Sequence, residues 1–204
     1  MSVIDFKRIK MKILPVFLVC LTFLITGNVY SQNYYYYHGS KIPIQKIDNK
    51  ILISSNREKW FNNSRVGLTA TYKQNERNFN KNRILSPEIR YEMVLSKEEW
   101  QSEFRPFLTH NVIVSPFYRV HDSIVGSSIY FYVCLYESED FEKLQKYALN
   151  NKIRIVAQDQ FMPEWYILAV TDSCSLNSVQ AANLFYESNM FKFATPDWRT
   201  ENNT

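Results

Sequence analysis

The residues with the most reactive side chains are few in this chain and lie far apart. None of its three histidines, His38, His110 and His121, is close to another in sequence, and no Cys-x-x-Cys, His-Glu-x-x-His or Gly-x-Ser-x-Gly string occurs. Metal sites and nucleophile–base pairs depend on such residues at short, fixed spacings. The 4 glycines in 204 residues are too few for phosphate-binding glycine loops. The sequence therefore predicts no enzyme, no cofactor and no metal site.

The amino terminus has the features of a secretory signal peptide. Basic residues between positions 7 and 12 precede an apolar run, Ile13 to Ile25, and Ser31 is a small residue before a cleavage site. A membrane span is the alternative, but about 13 apolar residues are fewer than the ~20 that a span needs, and Pro15 lies inside the run. We expect residues 1–31 to be removed and the mature protein to be secreted or periplasmic, with no stable membrane span.

Composition places the remaining chain among globular proteins. The sequence is 46% hydrophobic and 22% charged, unlike disordered chains, and its length suits one domain or two small ones. Loss of residues 1–31 would lower the formal net charge from +4 to +1, because that segment holds four basic residues and one acidic residue. Little positive charge then remains to attract phosphates, which argues against nucleic-acid binding.

Two cysteines, Cys134 and Cys174, remain after that cleavage. An exported protein can keep a disulfide, and these two residues are the candidate pair. The alternative is that both are free, because Cys134 lies in an apolar run, where a free cysteine packs as a small hydrophobic residue, and because a disulfide requires a narrow range of Cα separations. The sequence leaves both alternatives open.

The first half of the mature chain, residues 32–128, is predicted to be a mainly β subdomain. Residues 34–54 alternate turn clusters with β-rich runs and predict a small meander. The polar, Asn-rich segment 55–86 is expected to be mostly loop, with one short strand near Gly67 to Tyr72. The remaining elements expected here are a strand at Ile89–Leu95, a short helix with a capping box from Ser96 to Glu99, and strands at Asn111–Val114 and Tyr118–Val120.

The second half has the predicted element order β-α-β-β-α-β. Its expected elements are a strand at Ile129–Glu137, a helix from Ser138 to Asn150, strands at Ile153–Ala157 and Trp165–Val170, a helix capped by Asn177 and ended by Asn189, and a last strand at Met190–Ala194. This order predicts an α+β fold with a ferredoxin-like βαββαβ unit over about 129–195, preceded by the β subdomain. We place the unit at 129–198 and treat residues 199–204 as a tail.

Alternation in the first strand of this unit separates an aliphatic side from a tyrosine side. The aliphatic residues are Ile129, Phe131, Val133 and Leu135, and the opposite side holds Tyr130, Tyr132, Cys134 and Tyr136. Because a ferredoxin-like unit carries both helices on one face, we expect the aliphatic side to face the helices. The tyrosines would then stand on an open face, where tyrosine favours protein interfaces. Alternatively, residues 34–128 cover this face and the tyrosines belong to the core.

The most distinctive stretches of the chain are Ala-Ala-Asn-Leu-Phe-Tyr-Glu-Ser at 181–188 and Ala-Thr-Pro-Asp-Trp at 194–198. Together with Phe161 to Tyr166, the opening Tyr34 to Tyr37 and Ile42 to Ile44, they resemble the amino-terminal propeptide region of secreted bacterial subtilisin-like serine proteases. The resemblance spans most of the mature chain and is weakest over 55–88. Asn189 stands where the family commonly has glycine, and the family's peptidase motifs, such as His-Gly-Thr-His and Gly-Thr-Ser, do not occur. The protein looks like a propeptide without its protease.

The resemblance implies binding rather than catalysis. Propeptides of this family lay their open sheet face on the protease and thread their carboxy-terminal tail through its substrate cleft, which assists folding and inhibits the enzyme. The implied partner is a subtilisin-like serine protease, and the implied contact residues are Tyr130, Tyr132 and Tyr166 on the face, Asp159 and Glu164 as caps of enzyme helices, and Thr195, Pro196, Asp197 and Trp198 in the tail. Alternatively, strand parity turns Tyr166 inward, the two acidic residues are simply solvated, and the tail is a frayed terminus.

Three function classes therefore remain. The first is a secreted, non-catalytic inhibitor or folding assistant of a subtilisin-like protease encoded elsewhere. The second is a secreted binding or adhesion module that keeps the fold but binds another partner. The third is a truncated protease remnant without a function. An enzyme would need a nucleophile and a base close together, and a serine beside His110 or His121 is the only candidate that the sequence offers.

Overall fold

The structure, a computed structural model, describes residues 34–55, 72–73, 91–105 and 112–200. The predicted signal peptide, nearly all of the Asn-rich segment, His110 and residues 201–204 lie outside these ranges. The strands are β1 (Tyr34–Tyr37), β2 (Ser40–Pro43), β3 (Gln45–Ser55), β4 (Tyr72–Lys73), β5 (Tyr91–Ser96), β6 (Val112–Val120), β7 (Ser123–Cys134), β8 (Ile153–Gln158), β9 (Trp165–Val170) and β10 (Phe193–Thr200). The helices are α1 (Lys97–Glu99), which continues into a π-helical turn at Trp100–Phe104, α2 (Phe141–Asn150), which follows a 3-10 turn at Ser138–Asp140, and α3 (Ser178–Glu187). The protein is mixed α and β, and mostly β.

Strand β7 is the centre of an eight-stranded antiparallel sheet. The sheet has the order β4-β5-β3-β6-β7-β9-β8, and β10 pairs with β7 outside that path. On one edge of β7, β6 pairs with Ser123–Gly126 and β9 pairs with Tyr130–Cys134. The other edge pairs with β10 from Val125 to Cys134. The sheet therefore forks where β6 leaves β7 and β9 begins. Strands β1 and β2 form a separate hairpin.

Local capping signals predicted the starts of α1 and α3 and the end of α3 correctly. Ser96 and Asn177 each accept a hydrogen bond from the backbone N–H of the third helical residue, Glu99 and Gln180, whose side chains bond back to the cap. Asn189 has a φ of 57°, the left-handed conformation expected after α3. The predicted cap at Ser138 is wrong: Ser138 begins a 3-10 turn, and α2 starts at Phe141.

Two strand predictions around prolines are wrong. The two strands expected before and after Ser115 and Pro116 are one strand, β6. Pro116 is tolerated there because β3 is irregular opposite it, with a register shift between Ile47 and Ile51, so the missing N–H disturbs an already interrupted ladder. The last strand runs to Thr200 instead of ending at Ala194. Its Pro196 is tolerated because β10 pairs only with β7 among the described strands and is an edge strand.

Strand β7 begins at Ser123, six residues before the predicted start at Ile129. The β6–β7 hairpin turns at His121, which has a φ of 50°, and then pairs Ser123–Gly126 with Phe117–Val120. The polar residues Ser127 and Ser128 are fully buried inside this strand. Their polarity concealed the strand, because the hydrophobic alternation used for the prediction starts only after them.

The main core lies between β7, β8 and β9 and the two long helices. Helix α2 contributes Leu144 and Ala148, and α3 contributes Ala181, Ala182 and Phe185. The ring of Phe185 contacts those of Phe131, Tyr147 and Phe191 at centroid distances of 5.2, 4.8 and 5.4 Å. Both helices therefore pack on the aliphatic side of β7, as predicted. Cys134 and Cys174 are both free, so the disulfide alternative is wrong.

A smaller cluster joins the amino-terminal hairpin to the carboxy-terminal strand through Tyr118. Its buried members are Tyr35, Ile44, Tyr118 and Val179, and Trp198 packs against them. The Asn177 side-chain amide donates a hydrogen bond of 3.3 Å to the Tyr118 hydroxyl. Burial raises the pKa of Tyr118 to about 12, although the hydrogen bond from Asn177 opposes the shift.

The raised pKa of Tyr118 predicts a loss of stability in alkali. Unfolded tyrosine ionises near pH 10, whereas folded Tyr118 stays neutral until about pH 12, so its contribution is complete below pH 10 and is lost as the pH rises towards 12. The expected loss is about 2–3 kcal/mol of the free energy of unfolding. Urea unfolding across this range should therefore show a smaller alkaline loss for Tyr118→Phe than for the unmodified protein. An equal loss of unfolding free energy between pH 10 and 12 in the two proteins would contradict this prediction.

Candidate protein-binding surface

The tyrosine face of the sheet is closed at one end by the sheet itself. The Arg199 guanidinium, on β10, donates a hydrogen bond of 2.9 Å from Nε to Glu92 Oε2 on β5 and one of 2.6 Å from Nη1 to Asp197. Strands β3, β6 and β7 lie between β5 and β10 in the sheet, so this contact requires the sheet to curl over its own face. The three side chains are only 4–11% exposed. Burial alone would lower the pKa of Arg199, but the two carboxylates outweigh burial and raise it.

Tyr130 is buried rather than on an accessible face. Its side chain is 4% exposed and belongs to the main core cluster, against which Ile113 of β6 also packs. The expected open-face position of Tyr130 is therefore wrong, and the alternative, in which this tyrosine belongs to the core, holds at this position. Tyr132, two residues further along β7, is half-buried.

Tyr166 faces the helices, so its prediction as an open-face residue is also wrong. It pairs with Val133 across the β7–β9 ladder, and paired residues of antiparallel strands share a sheet face. Its ring stacks on that of Phe141, the first residue of α2, with a centroid distance of 5.0 Å. The strand parity of Trp165 and Ile167, and not that of Tyr166, matches the tyrosine side of β7.

The two predicted acidic residues lie at the hairpin between β8 and β9 but differ in role. One oxygen of the Asp159 carboxylate accepts hydrogen bonds from the backbone N–H groups of Phe161 and Met162, at 2.8 and 2.9 Å. Asp159 therefore organises its own loop, a role that was not predicted from the sequence. Glu164 is half-buried, and its carbonyl accepts a hydrogen bond of 2.9 Å from the backbone N–H of Leu135.

The predicted tail residues belong to strand β10. Thr195 and Pro196 pair with Tyr132 and Phe131 of β7, and Asp197 also accepts a hydrogen bond of 3.0 Å from the Ser128 hydroxyl. The Trp198 ring packs edge-on against Tyr35 at 5.2 Å and Tyr118 at 5.9 Å. The expectation that Thr195 to Trp198 form a free tail is wrong, because their backbone pairs with β7 and Asp197 and Trp198 contact other side chains of this protein; a role in protease binding stays a prediction.

Aromatic rings cross the surface at the other end of the tyrosine face. We call Tyr37, His38, Phe193 and Trp165 the aromatic row. Successive ring centroids are 4.3, 6.1 and 6.3 Å apart, and the last pair is stacked with an interplanar angle of 9°. Tyr37 and His38 are exposed, whereas Phe193 and Trp165 are half-buried. The row joins the β1–β2 turn to the sheet and leaves apolar ring surface accessible.

The β1–β2 hairpin that carries half of the row is held against α3. The hydroxyls of Tyr34 and Tyr36 both donate to Glu187 Oε1, at 2.7 and 3.1 Å, and the Asn183 amide donates to the Tyr34 carbonyl at 2.8 Å. The Lys41 ammonium lies 4.2 Å from the centre of the Tyr34 ring. The hydrogen bond to Glu187 and burial raise the pKa of Tyr34. The aromatic row therefore rests on a hairpin with several anchoring contacts.

Beside the row, the β8–β9 loop presents two large apolar side chains to solvent. Phe161 is 82% exposed and Met162 is 49% exposed. Tyr136 is 53% exposed and follows Leu135, whose backbone N–H donates a hydrogen bond to the Glu164 carbonyl of this loop. Hydrogen bonds from Asp159 N–H to the Trp165 carbonyl and from Trp165 N–H to the Met162 carbonyl, at 2.8 and 2.9 Å, close the loop. A loop that is closed by its own hydrogen bonds and displays a phenylalanine suits a protein interface, because less flexibility is lost on binding.

No family model, curated protein or solved structure matches this chain significantly. Within the described ranges, no three His, Cys, Asp or Glu side chains come together as a metal site. No helix in the described part of the chain is long and apolar enough to cross a membrane.

The aromatic row and the exposed loop were not predicted from the sequence. Strand parity could have placed Trp165 on the same side of the sheet as Tyr132. The other members of the row, such as His38 and Phe193, are distant from Trp165 in sequence. The exposure of Phe161 has a weak sequence signal in the flanking Asp159 and Pro163, which favour a turn.

Proposed function

We propose that residues 123–200 form a ferredoxin-like unit of the propeptide type and that the protein is a secreted, non-catalytic partner of a subtilisin-like serine protease. The observation that supports this most is the antiparallel strand order β8-β9-β7-β10 within the element order β7-α2-β8-β9-α3-β10, which is the order expected of a split βαβ unit. The packing of both helices on the Phe131 side of the sheet is consistent with it.

In this proposal the protease binds the aromatic row and the β8–β9 loop. The tyrosine face offers less surface than the resemblance implies, because the contact between Glu92 and Arg199 closes one end of it. Tyr132 and Thr195, which pair across β7 and β10 next to the row, are half-buried and can extend the contact. Since Thr195 to Thr200 are strand residues, occupation of the substrate cleft would fall to residues outside β10.

Replacing Phe161 by aspartate is expected to weaken protease binding by about 30-fold or more, since removal of a central interface anchor costs about 2 kcal/mol or more. Purified protein would be titrated against immobilised secreted subtilisin-like proteases, with residual peptidase activity measured in parallel. The substitution should not affect folding, because the Phe161 side chain is 82% exposed and its backbone N–H still reaches Asp159.

The matched control is Leu149→Asp, because Leu149 is 78% exposed and lies near the end of α2, away from the β8–β9 loop. It should leave protease binding unchanged. Failure of the unmodified protein to bind any subtilisin-like protease would overturn the proposed partner. If Leu149→Asp weakened protease binding and Phe161→Asp did not, the β8–β9 loop would be the wrong contact surface.

A secreted binding or adhesion module is the second candidate, and the curled sheet favours it. A face that is closed from within by Glu92 and Arg199 is no longer available as a flat docking platform, whereas the exposed loop and the aromatic row suit any protein partner. The same titration separates the two candidates, because this one predicts no binding to the proteases.

A further inference from the structure

A cleft of about 380 Å³ opens beside the fork of the sheet. One wall comes from β3 and β6, and the other comes from residues 171–177, which connect β9 to α3. The volume is within the range of pockets for small organic molecules. The cleft is separate from the aromatic row and from the β8–β9 loop, so the proposed protease contact does not use it.

The cleft has an excess of positive charge. Lys46, Lys50 and Lys97 line it, against two acidic residues, Asp48 and Asp172. Lys46 and Lys97 are exposed, and Lys50 is half-buried, with its ammonium 5.7 Å from the centre of the Phe117 ring. Lysines that surround a concave site attract anions more strongly than the same lysines on a convex surface, because the protein walls focus the field.

The amino terminus of α3 lies at the same cleft. Asn177, the cap of this ten-residue helix, and Gln180 both line it. The first turn of a helix has backbone N–H groups without partners inside the helix and the positive end of the helix dipole. This end therefore adds to the attraction for an anion.

A buried hydroxyl without a partner is a second and independent sign of a ligand. Ser115 of β6 lines the cleft and is 1% exposed. Its Oγ has no hydrogen-bond partner among the described residues. Buried polar groups are nearly always paired, so an anion bound in the cleft would supply the partner that the described residues do not.

We propose that this cleft binds a small organic anion that carries carboxylate or phosphate groups. The lysines and the α3 terminus supply the charge, and the Ser115 hydroxyl and the Gln180 amide supply hydrogen bonds. The excess of lysine over aspartate favours an anion over a neutral ligand. Carboxylates and phosphates share this chemistry, and citrate and pyrophosphate are the probes that distinguish them.

Cys174 gives the cleft a built-in reporter. It lines the cleft and is half-buried with a free thiol. Cys134 is 5% exposed, and burial raises its pKa, so its thiolate is scarce and it should react slowly. Alkylation by iodoacetamide, quantified for each cysteine by peptide mass spectrometry on the full chain, therefore measures access to the cleft at Cys174 and intactness of the fold at Cys134.

Citrate and pyrophosphate, each at about 10 mM, are expected to slow alkylation of Cys174 by about fivefold or more if the Kd is about 1 mM. Sodium chloride at matched ionic strength should not slow it. Protection by citrate alone assigns the site to carboxylates, and protection by pyrophosphate alone assigns it to phosphates. Lack of protection by either anion would overturn the proposal, as would equal protection by sodium chloride.

The combined variant Lys46→Gln, Lys97→Gln should weaken the protection by about tenfold or more in anion concentration, since each lysine loses a charge-assisted contact. Lys146→Gln, an exposed lysine on α2, is the matched control and should retain it. Unchanged protection in the double variant, with Cys134 still unreactive, would show that the anions act elsewhere and would also overturn the proposal.

Discussion

Replacing Arg199 by methionine is expected to lower the free energy of unfolding by about 3–5 kcal/mol, because removing one partner of a buried ion pair leaves the other charge uncompensated. Here two carboxylates, those of Glu92 and Asp197, would remain buried without their shared cation. The substitution should also loosen the curl of the sheet, since this contact holds β10 to β5. Urea unfolding monitored by tryptophan fluorescence measures the change.

Lys143→Met is the control for this experiment. Lys143 also forms an ion pair, with Asp140 at 2.6 Å, but the lysine side chain is 65% exposed, and exposed pairs contribute about 0–1 kcal/mol. A combined variant with Glu92→Leu, Asp197→Leu and Arg199→Met should recover most of the lost stability, because no buried charge remains. A loss below about 1 kcal/mol for Arg199→Met would contradict the closed arrangement of the sheet.

Replacing Phe185 by alanine is expected to cost about 3–5 kcal/mol, the range for a large aromatic residue in a packed core. Phe185 is fully buried and touches aromatic rings from β7, α2 and the segment after α3. The cavity left behind would separate α3 from the sheet, and α3 also anchors the β1–β2 hairpin through Asn183 and Glu187.

Leu149→Ala provides the comparison for Phe185→Ala. Leu149 is a helical residue of α2 that is largely exposed, so its truncation should change stability by less than about 0.5 kcal/mol. Thermal and urea unfolding of both variants would give the two values. Equal effects for the two substitutions would show that the Phe185 cluster is not the core of the protein.

The features predicted correctly from the sequence are those that depend on a few neighbouring residues. The capping boxes at Ser96 and Asn177 and the left-handed Asn189 follow from side chains that bond to backbone groups three residues away. Strand β9 was also predicted to its exact bounds, because both of its ends are marked by turn residues. Most errors fell on strands that contain a proline or buried polar residues, and one fell on the start of α2.

The candidate site shows the same division. Asp159 was selected for its charge, but its partners are the N–H groups of its own loop, which sequence spacing could have indicated. Tyr130 and the residues from Thr195 to Trp198 were assigned to a contact surface because nothing in the local pattern shows that Glu92 reaches Arg199 from 107 positions away. Pairing of β10 with β7 and the packing of Trp198 on Tyr35 and Tyr118 also join residues that are distant in sequence.

By itself, the sequence determined the mixed, mostly β composition of the fold, the order of strands and helices in the second half and the side of β7 that faces the helices, because side-chain periodicity and capping act over a single turn or pleat. Only the tertiary structure decided that the sheet curls, that β10 is an integral strand and that His38, Phe193 and Trp165 meet in one row. Those outcomes depend on how far each strand twists and which distant strand it contacts, and this information is carried by the packing of the whole sheet rather than by any short segment.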